Sequence, residues 1–143
     1  MADSSDQRRA VIDELLELNQ RLLESIMVGD WDTYTRLCDP EISCFEPESR
    51  GELVVGLDFH GFYFDRGGVP GPHNTTMASP HVRLLGEDAA VVSYVRLVQR
   101  LDSSGNPITH RCEETRVWQR QRRPVEARTF SPFRESIDCR AGI

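Results

Sequence analysis

Two arginines stand where a sheet face should be apolar. Within residues 91–98, Val92, Tyr94, Arg96 and Val98 share one face by period-two alternation, so a cation interrupts an apolar set. Further on, Glu114, Arg116 and Trp118 share a face, while Thr115 and Val117 share the other. If the two segments pair through a turn at 102–107, Arg96 and Arg116 approach each other across the sheet. Two guanidinium groups repel unless an anion lies between them. One reading is a pocket for a small anion such as a carboxylate; the other is an internal partner, Glu113 or Glu114. Tyr34 and His60 complete the candidates, either as a general acid or base or as packed, hydrogen-bonded core residues. Phe59, Phe62 and Phe64, around His60, read as core or subunit-contact residues.

Other chemistry lacks its companions. Asp58, Phe59, His60 and Gly61 look like a kinase metal-binding triplet with an insertion. No phosphate-binding glycine loop, catalytic His-Arg-Asp or lysine accompanies them. The glycines of residues 67–71 do not lead into a helix at phosphate-loop spacing. His73, His81 and His110 lack metal-ligand spacing with cysteine or carboxylate. Cys38, Cys44, Cys112 and Cys139 are scattered without a Cys-x-x-Cys pair, which suits free thiols in a reducing compartment. No metal and no cofactor is expected, and no Asp or Glu is evidently placed as a base beside the arginines.

The elements that must position these residues fit one domain of 143 residues. The hydrophobic share is 38% and the charged share 28%, a globular composition. All 17 basic residues are arginine, against 23 acidic ones, for a net charge of −6. The missing lysines read as genomic GC bias in preference to selection for guanidinium chemistry. Residues 1–95 hold 7 arginines and 17 acids, whereas residues 96–143 hold 10 and 6. Such asymmetry suits head-to-tail contacts between copies or simply a dipolar monomer. An acidic chain argues against sequence-independent nucleic-acid binding. The N-terminus has no secretory pattern, and no apolar run approaches the roughly 20 residues of a membrane span. The expected address is cytoplasmic.

Val11, Leu15, Leu18, Leu22 and Ile26 form one stripe, predicting a long helix capped by Ser4, Ser5 or Asp6 and ending at Val28. Gly29 and Asp30 separate it from a short helix over residues 31–38, followed by a strand at 42–45 and a helix at 57–64. Residues 65–72 read as a flexible loop. Strands follow at 73–85, 89–101 and 108–121, with a last one between 125 and 134, interrupted by Pro124 and Pro132. The result is an α+β domain, a curved antiparallel sheet around the long helix.

Several blocks together resemble the association (hub) domain of calcium/calmodulin-dependent protein kinase type II. They are Gly29-Asp30-Trp31-Asp32-Thr33-Tyr34, Phe45-Glu46-Pro47-Glu48, Leu57-Asp58-Phe59-His60-Gly61-Phe62-Tyr63-Phe64, Gly86-Glu87-Asp88-Ala89-Ala90, Tyr94-Val95-Arg96-Leu97 and Glu113-Glu114-Thr115-Arg116-Val117-Trp118. Their order holds over residues 7–121, about four fifths of the chain. The resemblance implies a cystatin-like, nuclear-transport-factor-2-like cone with a long N-terminal helix cradled by a curved antiparallel sheet. It divides the chain into an N-terminal tail at 1–6, the hub domain at 7–136 and a C-terminal tail at 137–143. It also implies an oligomerisation hub that closes into a homo-oligomeric ring of about a dozen or more copies and clusters kinase subunits. Tyr34, His60, Arg96 and Arg116 match a family pocket that holds small carboxylates.

Three departures qualify that resemblance. The chain starts at Met1 just before the matching region, which reads as a free-standing hub without a kinase domain. The loop at 65–72 is shorter than the family's and lacks its tryptophan. After Arg123 the match collapses: Pro132 falls at the position of a third pocket arginine, for which Arg128 or Arg134 could substitute. A non-enzymatic hub is the expected function. The alternatives are a small enzyme or ligand-binding module of the ketosteroid-isomerase-like fold acting on a small carboxylate, and a module that joins, caps or opens kinase hubs of other chains.

Overall fold

The apolar stripe becomes the buried face of the first helix. In the computed structural model, which describes residues 3–121 and the backbone course of residues 133–141, α1 runs Ser4–Val28, about 37 Å at 1.5 Å per residue. Leu15, Leu18, Leu22 and Leu23 are buried, with Val11 and Ile26 packed at the margin of the same core. Each leucine taken out of water contributes roughly 1.5–3 kcal/mol. Asp3 holds the cap position in place of Ser4, Ser5 or Asp6, and its carboxylate accepts from the Ser5 hydroxyl at 2.7 Å. Gly29 ends the helix at a φ of 71°, and Asp30 accepts from the Thr33 backbone N–H at 3.1 Å to start α2, Trp31–Leu37.

From α2 the chain passes directly into β1, Cys38–Phe45, longer than expected. Pro40 has no N–H to give, and the register of β1 shifts between Cys38 and Ser43. A 3-10 turn at Pro47–Ser49, β2 at Leu53–Val55 and α3 at Asp58–Phe64 follow. β3 (His73–Leu85), β4 (Ala89–Leu101) and β5 (Pro107–Arg120) form the expected meander.

One strand lies elsewhere than expected. β6 spans Phe133–Ala141, not residues 125–134, and most of that earlier stretch falls outside the described residues. Its composition, Phe-Arg-Glu-Ser-Ile-Asp-Cys-Arg-Ala, holds one β-branched residue, and the alternation of Ile137, Cys139 and Ala141 with Asp138 and Arg140 is a short, weak strand signal. The strand also runs through residues 137–141, read from the sequence as a tail. The sheet order is β2-β1-β6-β5-β4-β3, antiparallel throughout except for the parallel β1–β6 pair.

The inner face of this sheet packs on α1. Ala90, Val92, Tyr94 and Arg96 alternate inward on β4, as do Glu114, Arg116 and Trp118 on β5. The indole N–H of Trp118 donates to Asn19 Oδ1 on α1 at 3.1 Å, which seats the helix over the sheet. The stretch after α3 is clasped to the same helix. Val69 N–H donates to the Met27 carbonyl at 2.7 Å, and a Cβ on Gly68 would lie 2.5 Å from the Val28 carbonyl carbon. Only glycine fits that approach. Among the described residues no helix is long and apolar enough to cross a membrane.

Candidate functional site

Antiparallel pairing of β4 with β5 sets the first polar cluster. Val92 stands opposite Arg116, Tyr94 opposite Glu114 and Arg96 opposite Cys112, so the two arginines flank the Tyr94–Glu114 pair on one face. Glu114 lies between them: Arg116 Nη2 donates to it at 3.1 Å and Arg96 Nη1 at 3.4 Å. The Tyr94 hydroxyl donates to Glu114 at 2.5 Å and accepts from Arg116 Nε at 2.8 Å. Arg96 Nε also donates to Thr75 Oγ1 at 3.2 Å. Arg116 is 0% exposed and Glu114 2%. Burial, chiefly, holds the Tyr94 phenol far above its ordinary pKa; Arg116 opposes that shift and Glu114 adds to it. The internal-partner reading is thus realised, through Glu114. Thr75 also walls an open cleft of about 510 Å³ between the end of α1 and the start of β3, with Arg21, Glu24 and His73 around it.

A second cluster gathers Tyr34 of α2, His60 of α3, Cys44 near the end of β1 and Glu46 just after that strand. Tyr34 Oη and His60 Nδ1 share a hydrogen bond of 2.7 Å, and His60 Nε2 lies 3.3 Å from Cys44 Sγ. Glu46 Oε1 is 3.8 Å from His60 Nδ1. All four residues are buried. Phe64 packs on the Tyr34 ring at 4.6 Å between centroids, and Trp31 stacks at 5.8 Å. Beside them is a cavity of about 140 Å³ walled by Tyr34, Glu46, Glu48, Phe59 and His60 among others. No arginine is among its described lining residues.

The four residues singled out in the sequence therefore meet two by two: Tyr34 with His60, Arg96 with Arg116 through Glu114. β6 lies between the strands that carry the two clusters, and its Asp138 holds the register position opposite both Cys44 and Arg116. The register sets Arg134 opposite Gln119 and Arg140 opposite Glu114, while Arg128 lies outside the described residues. Cys44 and Glu46 were missed as site residues. The signal was faint: two positions apart at a strand end, they extend the inward parity of Ile42. Phe62 is exposed, which leaves it a surface residue of this chain.

The described fold and site have clear relatives. The family model for the calcium/calmodulin-dependent protein kinase II association domain matches residues 12–124. The calcium/calmodulin-dependent protein kinase type II alpha chain of Drosophila melanogaster is 49% identical over 112 residues, 76% of this chain. This chain spans only 21% of that kinase's length. Among solved structures, the association domain of C. elegans CaMKII superposes with a TM-score of 0.84 at 39% identity, covering 95% of this chain and 98% of the worm domain. A nuclear-transport-factor-2-like protein from Salmonella enterica superposes at 0.70 with 21% identity, covering 94% and 92% of the two chains. That likeness gives the fold alone: an α+β, nuclear-transport-factor-2-like domain with its long N-terminal helix on the sheet.

Proposed function

Because this chain belongs to the calcium/calmodulin-dependent protein kinase II association-domain family, we propose that it works as a hub that self-assembles into a closed ring of about a dozen or more copies. The observation that carries the proposal is the match to nearly the whole of an association domain. The surface supports it. Phe45, Leu53 and Val55 are 48%, 56% and 66% exposed. Phe45 pairs with Leu53 and Ser43 with Val55, so the three side chains share the outer face of the β1–β2 ribbon. Apolar side chains clustered in that way mark association surfaces. Native mass spectrometry tests the reading: particles at high multiples of 16.3 kDa are expected. A solitary subunit at micromolar concentration overturns it.

Kinase-subunit hubs of other chains are the proposed partners beyond the chain itself, in a cytoplasmic, reducing setting. Clustering raises the effective concentration of whatever is tethered and needs no catalysis. A small carboxylate is the proposed ligand of Arg96 and Arg116, with Tyr34 and His60 as further contacts. Glu114 already pairs with both arginines, so an added carboxylate has to compete with it for them. Arg116→Ala is expected to abolish carboxylate binding in calorimetry; unchanged binding moves the ligand elsewhere. The small-enzyme alternative gains nothing from Tyr94, whose buried phenol keeps its proton far beyond neutral pH.

A further inference from the structure

The cluster around His60 is buried, and its chemistry differs from that of the arginine pair. Cys44, Glu46 and His60 are all buried, and one donor atom from each lies within 4.8 Å of the other two. We propose that these three residues form a binding site for one borderline-soft divalent cation, with zinc as the ion of best fit.

Thiolate sulfur, imidazole nitrogen and carboxylate oxygen are the ligand types such an ion selects. Bonds of about 2.3 and 2.05 Å at a tetrahedral angle set sulfur and nitrogen about 3.6 Å apart. Cys44 Sγ and His60 Nε2 stand 3.3 Å apart, so an ion enters between them with little movement of either. Glu46 completes the set by turning its carboxylate from the Nδ1 side of the ring. The Tyr34 hydroxyl, at 2.7 Å from Nδ1, fixes the orientation of the imidazole, as second partners of metal-bound histidines do. The adjoining cavity of about 140 Å³ has room for water as fourth ligand. Binding exchanges the Cys44 thiol proton for the metal, so one proton leaves to solvent with each ion taken up. Cys44 and His60 are sixteen positions apart on β1 and α3, too far for a spacing motif, which is why the sequence reads as metal-free.

Cobalt(II) titration of the chelator-treated full chain tests the site. Tetrahedral visible bands and a thiolate-to-cobalt charge-transfer band should saturate at one equivalent, and zinc should then displace the cobalt. Cys44→Ala should lose the charge-transfer band, and Glu46→Gln should weaken binding at least about tenfold. A wild-type chain with no thiolate–cobalt band overturns the proposal without recourse to any variant. So does a Cys44→Ala chain, folded by circular dichroism, that keeps the band, because Cys38, Cys112 or Cys139 would then be its source. The oligomeric state does not enter these readouts, so a monomeric chain leaves the metal site standing.

Discussion

The two buried polar clusters are built on opposite plans. Around Glu114 the described side-chain partners Tyr94, Arg96 and Arg116 come from β4 and β5, at 2.5 to 3.4 Å. Around His60 the described partners come from α2, from β1 and from Glu46 just after it, and beyond the Tyr34 bond the approaches are 3.3 and 3.8 Å, beside a cavity. Ladder register fixes the first cluster in the same act that forms the sheet. The second depends on how three separate elements dock, which leaves slack that a ligand can take up. A close network rigidifies, whereas a looser one with an adjoining void is suited to recognition.

Glu114→Gln should strike the first plan hardest. It strips the charge partner from two buried guanidinium groups, and breaking a buried pair costs about 3–5 kcal/mol. Urea denaturation should show the lower midpoint; a loss under about 1 kcal/mol would erase the contrast between the clusters. Tyr94→Phe should cost about 1–3 kcal/mol at neutral pH, since Glu114 loses a donor and Arg116 an acceptor. Its alkaline behaviour sharpens the same point. The folded-state pKa of Tyr94 is raised, so the unfolded chain gives up that proton first, near pH 10. Stability of the wild type should therefore be intact below that pH and fall as pH rises above it. Tyr94→Phe should flatten that fall in melts above pH 10.

Effects at the second cluster should be smaller. Tyr34→Phe removes one hydrogen bond beside a cavity that can admit water, for about 1 kcal/mol. Cys44→Ala in metal-free protein should cost about 1 kcal/mol or less, the least of the series. Should Tyr34→Phe prove as damaging as Glu114→Gln, the His60 cluster is a structural keystone and not a recognition site.

How far each cluster was legible follows from the same difference. Alternation along residues 89–101 and 108–121 placed Arg96, Glu114 and Arg116 on facing strands, because strand parity and a short turn leave few other registers. Glu114 as their internal partner was visible as one of two options, and the structure selects the one with inward parity. The His60 cluster was half visible. Tyr34 and His60 were flagged, but their union with Cys44 and Glu46 arises from helix docking that no local period encodes. β6 was misplaced for a related reason: the alternation of Ile137, Cys139 and Ala141 with Asp138 and Arg140 is short and has one β-branched residue, and its place between β1 and β5 is a tertiary effect outside local propensity.

The placement of β6 bears on how the molecule comes into being. Residues 133–141 are the last element of the described chain, yet they fill a central slot of the sheet, with β2-β1 on one side and β5-β4-β3 on the other. During synthesis the ribosome thus emits two separate ribbons, each with an open hydrogen-bonding edge, and the keystone arrives afterwards. Until it threads between them, those edges are exposed to neighbouring nascent chains, so the interval before closure is when chaperones matter most.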